Sequence, residues 1–68
     1  MGWRRHVRSR VVVNLKSGSA IEGVLYRADT KLLELKDPTV HEPGAEPAPA
    51  DGSMVIERSN VDYVQIVG

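Results

Sequence analysis

Val11, Val13 and Leu15 alternate with Val12 and Asn14, and beyond Lys16-Ser17-Gly18 the residues Ile21, Gly23 and Leu25 resume the same period of two. A period of two is the pattern of a strand with one buried face, so residues 11–29 predict a β-hairpin. Gly18 supplies the positive φ that a tight turn needs. Gly23 lies inside the second strand, where glycine costs stability, and predicts a bulge or sharp bend of the kind a small closed barrel requires. Further apolar runs predict strands over 31–37, 53–58 and 62–67, the last two joined by a tight turn at Ser59-Asn60-Val61. With strands at 10–16 and 19–28 this makes a five-stranded, all-β chain whose sheet must bend strongly to close. Trp3 and Val7 lie four apart, so residues 2–8 predict a short helix or an ordered arm. Residues 38–52 show no apolar period and hold Pro38, Pro43, Pro47 and Pro49, which predicts a mobile loop.

Sixty-eight residues suit one domain, here 1–68 with a basic arm over 1–9 and the Pro-rich loop over 38–52. There is no Cys, hence no disulfide framework and no Cys-based metal site. The longest uninterrupted aliphatic run, residues 11–13, is far short of a membrane span or signal segment, so the expectation is a soluble, cytoplasmic protein without a membrane partner. With no Phe, one Trp and two Tyr, the core must be built from Val, Leu and Ile, which bury modest area each. A partner subunit would help to stabilise so small a core. The formal net charge of zero hides an asymmetry: Arg4, Arg5, Arg8 and Arg10 face no acid within the first ten residues, while Asp37, Glu42, Glu46 and Asp51 crowd the Pro-rich segment. Richness in Ala, Arg, Val and Gly points to a high-GC source such as an actinobacterium or its phage.

At the hairpin the chain resembles the Sm and Sm-like (LSm) family, including its bacterial branch Hfq. The first motif of that family runs through alternating apolar residues to Leu-x-x-Gly, a Gly five later and an Asp six beyond, and Leu15, Gly18, Gly23 and Asp29 match the spacing. Its second motif, Ile-Arg-Gly-x-Asn-Val-x-Tyr-Ile-x-Ile, is followed in frame by Ile56-Glu57-Arg58-Ser59-Asn60-Val61-Asp62-Tyr63-Val64-Gln65-Ile66. The two stretches cover about half of the chain. The resemblance implies an Sm-like, SH3-type small barrel and a homo-oligomeric ring, a hexamer or heptamer, in which the last two strands pair between neighbours. Val55, Ile56, Val64 and Ile66 are then the expected interface residues.

The resemblance also implies RNA as a partner, yet the pocket departs from the family pattern. After the conserved-type Asp of that pattern, RNA-binding Sm proteins place an aromatic that stacks on a base and an Asn that bonds its edge. Here Asp29-Thr30-Lys31-Leu32-Leu33 puts Lys31 at the aromatic position and Leu33 at the Asn position, and the Arg of the second motif falls on Glu57, with Arg58 adjacent. The Gln-Phe and Lys-His pairs of Hfq are absent too. Asp29, Lys31, Arg58, the arginines Arg4, Arg5, Arg8 and Arg10, and Trp3 remain as candidate nucleic-acid contacts. Each has a plainer description: Asp29 caps its turn, Lys31 is an exposed turn lysine, the arginines are a solvated tail, and Trp3 seals one end of the barrel. Tyr63 fits core or interface, and Tyr26 either. His6 and His41 are far apart, with no Cys and no paired carboxylates at ligand or triad spacing, so neither an enzyme nor a cofactor is expected. Three functions stay open: a ring binding RNA with low base selectivity, an Sm-fold scaffold acting through protein contacts, and a monomeric SH3-like or OB-like binding module.

Overall fold

The computed structural model describes residues 7–68, so the expectations for Trp3, Arg4 and Arg5, and for most of the helix or arm over 2–8, lie outside the described residues. Among the described residues six strands follow in order: β1 (Arg10–Leu15), β2 (Ala20–Ala28), β3 (Leu32–His41), β4 (Ala48–Pro49), β5 (Ser53–Glu57) and β6 (Val61–Ile66), with a 3-10 turn at Arg58–Asn60 before β6. They form a single antiparallel sheet in the order β4-β3-β2-β1-β6, with β5 also paired to β3. The all-β, strongly bent architecture expected from the alternation is the one observed.

Two slips in register make the sheet bend. Across β2 and β3, Glu22 pairs with Thr39 but Val24 pairs with Lys36, so β3 carries one extra residue opposite Gly23. That residue is absorbed at Asp37, whose φ of 51° lies in the left-handed region that Asp tolerates better than most side chains. The inward positions of β3 therefore change phase, from the buried Leu33 and Leu35 before the bulge to the buried Pro38 and half-buried Val40 after it. A second slip falls between Leu25 and Arg27, where Tyr26 is the extra residue of β2, and the inward face passes from Leu25 to Ala28. Gly23 sits where the strands press together, since a Cβ there would lie 2.9 Å from the Lys36 carbonyl oxygen and 3.2 Å from the Leu35 Cβ. The bulge expected near Gly23 is present, and it is carried by the partner strand.

The core is wholly aliphatic, as the composition requires: Val11, Val13, Ile21, Leu25, Leu33, Leu35 and Ile56, with Leu15, Ala28, Val40, Met54, Val61 and Val64 packed against it. Ile56, expected at a subunit interface, is thus committed to the core of its own protomer, because period two on β5 turns Met54 and Ile56 inward and Val55 outward. Val55, Tyr63, Ile66 and Val67 are exposed.

The expectation of a mobile loop over 38–52 needs correction. β3 runs on through Pro38 to His41 and pairs with β4 at Thr39↔Pro49 and Val40↔Ala48. Pro38 is fully buried, and its carbonyl accepts from the Ala50 amide at 2.9 Å, while the Asp37 amide donates to the Gly52 carbonyl at 2.9 Å. A proline is tolerated in a paired strand at a bulge, where its missing N–H leaves no ladder bond unmade. Only residues 42–47 form the connecting tip.

Candidate nucleic-acid interface

Two turns converge at one side of the barrel. The turn from β2 to β3 is organised by Asp29, whose Oδ1 accepts from the backbone amides of Lys31 and Leu32, each at 2.8 Å, while its own amide donates to the Leu32 carbonyl at 3.0 Å. This is an Asx-type turn, a side chain doing the hydrogen bonding of a backbone. The Lys31 amide first, and the Leu32 amide after it, hold the Asp29 carboxyl below its ordinary pKa, because both bonds favour the charged form.

The turn from β5 to β6 is fastened to it twice. The Arg58 amide donates to the Lys31 carbonyl at 2.8 Å, and Arg58 Nη1 donates to the Asp29 carbonyl at 3.0 Å. Between the turns lies an open groove of about 430 Å³, lined by Thr30, Lys31, Leu32, Glu57, Arg58 and Ser59. That volume is within the range of about 300–1,000 Å³ common for small-molecule sites. The Lys31 ammonium has no ion-pair or hydrogen-bond partner among the described residues, and neither has the Glu57 carboxylate. Two cations and one anion thus face the groove, and it can take a phosphate at its basic side.

Three of the candidate residues, Asp29, Lys31 and Arg58, are therefore brought together. Asp29 acts on the turn and not on the groove, as its plainer description had it. Arg8 and Arg10 do not join them. Arg8 is exposed in a turn with φ of 76° and bonds through its amide to the Leu25 carbonyl. Arg10 Nη1 lies 3.7 Å from Glu22 Oε2, and Glu22 Oε1 is 3.2 Å from His41 Nε2. Tyr26 is on the outer face with Lys36 Nζ 3.9 Å from its ring centroid, a cation–π pair away from the groove lining. Leu33, placed by resemblance at the base-edge position, is fully buried, and Leu32 lines the groove in its stead. Counting residues from Asp29 could not reveal this, since the depth at which β3 begins decides which leucine faces inward. Glu57, Thr30 and Ser59 were not among the candidates. Glu57 was visible in the sequence only as a departure from the Arg of the second motif.

Among the described residues no three His, Cys, Asp or Glu side chains are grouped to hold a metal ion, and no helix is long and apolar enough to cross a membrane. No protein-family model matches the chain, and no curated protein matches it in sequence. Solved structures do match. A heptameric archaeal Sm protein superimposes with a TM-score of 0.84 at 26% identity, over 96% of this chain and 94% of that one. The Sm protein of Pyrococcus abyssii, solved in complex with a uridine heptamer, superimposes with a TM-score of 0.84 at 26% identity, over 94% and 90%. A chain of the NatC complex bound to CoA reaches 0.84 over 98% and 86% at 18% identity, a likeness of fold alone. The chain has the Sm fold, and Sm proteins are among its structural neighbours.

Proposed function

We propose that this chain assembles into a closed ring of six or seven copies and binds single-stranded RNA with low base selectivity, using the groove between the two turns. The observation that carries this reading is the double fastening of Arg58 to the Asp29 turn, which puts Lys31 and Arg58 on one open groove in a fold whose neighbour from Pyrococcus abyssii holds a uridine heptamer. The neighbour from an archaeal heptamer supports the ring, as do the edges of β5 and β6, which among the described residues pair only with β3 and β1 respectively. One groove offers little attraction, but a ring multiplies it, since each copy after the first contact binds at high effective concentration. Among the described residues the groove is lined by no aromatic on which a base could stack and by no side-chain amide that could match the uracil edge. Phosphate contacts then dominate, and these carry no sequence information.

The test is fluorescence anisotropy with U-rich and A-rich oligomers at about 50 and 200 mM salt. Affinity should fall steeply between them, by roughly 10³-fold if six or more phosphates are contacted. Lys31→Ala should weaken both oligomers about equally and reduce the salt slope. Removing Arg4, Arg5, Arg8 and Arg10 together should also weaken binding without changing base ranking, if the arm contributes. No detectable binding at about 50 mM salt would overturn this reading and leave the protein-contact scaffold as the account of the fold.

A further inference from the structure

Glu57 is the last residue of β5, and because Ile56 points into the core, Glu57 is turned out onto the groove wall. It also occupies the N-cap position of the 3-10 turn, where a side-chain oxygen would ordinarily satisfy a backbone amide, yet it makes no capping bond. It has no ion-pair partner among the described residues either, although Lys31 and Arg58 line the same groove. An exposed carboxylate set among cations that would hold phosphates, and used for neither structure nor charge pairing, is left free to meet the ligand.

We infer that Glu57 ranks the bases of bound RNA by the hydrogen-bond donors on their edges, with guanine first and uracil last. The inference rests on the RNA-binding reading above and supplies the small selectivity that phosphate contacts cannot. An ionised carboxylate only accepts, through two oxygens side by side. Guanine offers two adjacent donors on its Watson–Crick edge, N1–H and the N2 amino group, and can satisfy both oxygens at once. Adenine and cytosine each offer one amino donor beside an acceptor nitrogen. Uracil offers one N3–H flanked by two carbonyls, so a carboxylate that accepts from N3–H sets its second oxygen against a carbonyl. Single-stranded RNA leaves these edges open to be read. Of the other lining groups, the Thr30 and Ser59 hydroxyls donate or accept alike and Leu32 offers only apolar contact, while Lys31 and Arg58, which only donate, are assigned to phosphate oxygens in the reading above.

The experiment compares three heptanucleotides on the intact protein: alternating A and G, the same oligomer with inosine at each G, and all U. Inosine keeps N1–H and lacks the N2 amino group. The guanine oligomer should bind about fivefold or more tighter than the uracil one, the lower end of what a bidentate base contact gives, and inosine should remove most of that advantage. Glu57→Gln introduces an amide that both donates and accepts and can pair with the edge of any base, so it should erase the guanine preference. Glu57 is exposed, so the variant should keep its fold, which circular dichroism checks. Equal binding of the guanine and uracil oligomers by the unaltered protein would overturn the inference while leaving RNA binding intact. A Glu57→Gln variant that binds every oligomer more tightly by one factor, its ranking unchanged, would also overturn it, since the carboxylate would then act only as a negative charge. Failure of all three oligomers to bind at about 50 mM salt would remove the RNA-binding reading and the inference with it.

Discussion

Asp29 shows how a carboxylate can stand beside a groove proposed to bind phosphate without working against it. Its Oδ1 is engaged by two amides of its own turn, and that turn presents the Lys31 side chain. Because those amides depress its folded-state pKa below 3.8, the carboxylate's contribution to stability is fully present above the unfolded value and is lost as pH falls through the lower, folded one. Asp29→Asn keeps a carbonyl oxygen but loses the charge. The gap in unfolding free energy between the two proteins should therefore be constant above about pH 5 and close in stronger acid, as urea melts at a series of pH values would show. A gap that widened on acidification would mean that the carboxylate is held against its preference. Glu57, which lines the groove as Asp29 does not, has no such amides, and this difference in partners separates a structural acid from one exposed on the groove wall.

At the level of elements, the hairpin of β3 and β4 is held by pairing at its base and not by its acidic tip. Replacing residues 42–47 with a short Gly-Ser linker changes the closed loop by less than a doubling of length, so stability should move by no more than about 0.6 kcal/mol. Val40→Ala, which removes two methyl groups from a half-buried side chain against the core, should cost about 1 kcal/mol. Denaturant unfolding of both variants distinguishes the pairing from the tip, and an equal loss from each would show that the tip matters as much. This hairpin also marks where the sequence stopped being readable. β1 and β2 were legible because their buried residues keep one phase, at Val11 and Val13 and at Ile21, Gly23 and Leu25. β3 was legible only as far as residue 37: the left-handed turn of Asp37 shifts the phase by one, and Pro38, a residue that composition assigns to loops, is buried as a strand residue. In the groove, Asp29, Lys31 and Arg58 were accessible through motif spacing, whereas the freedom of Glu57 and the exchange of roles between Leu32 and Leu33 depend on how deeply each strand enters the core.

For the whole molecule, the question is what covers β5 and β6. Val55, Tyr63 and Ile66 place exposed apolar surface on these two strands, with Val67 just beyond β6, and among the described residues each strand has an unpaired edge. Unpaired edges are templates for pairing with another chain. Light scattering at micromolar concentration should give six or seven times the 7.5 kDa chain mass. Val55→Asp with Tyr63→Asp should lower that mass while preserving the β-sheet signal, since both side chains are solvent-exposed within one protomer. Val64→Asp should instead unfold the protomer, because Val64 packs on the core and a buried unpaired charge is heavily penalised. A monomeric mass for the unaltered protein would favour a solitary SH3-like or OB-like module.

The two bonds from Arg58 to the Asp29 turn join residues far apart in sequence, the longer of them spanning 29 positions. The groove therefore has no local precursor. A chain growing from its N-terminus displays Lys31 long before it has a site, and gains the site only when residue 58 has been made and β5 has closed onto β3. Any ligand held there binds the shut barrel and not the open one, so its affinity adds to the stability of closure. Transient opening at β5 would release the ligand, and the occupied groove would in turn make that opening rarer, so that occupancy and local unfolding become two readings of a single equilibrium.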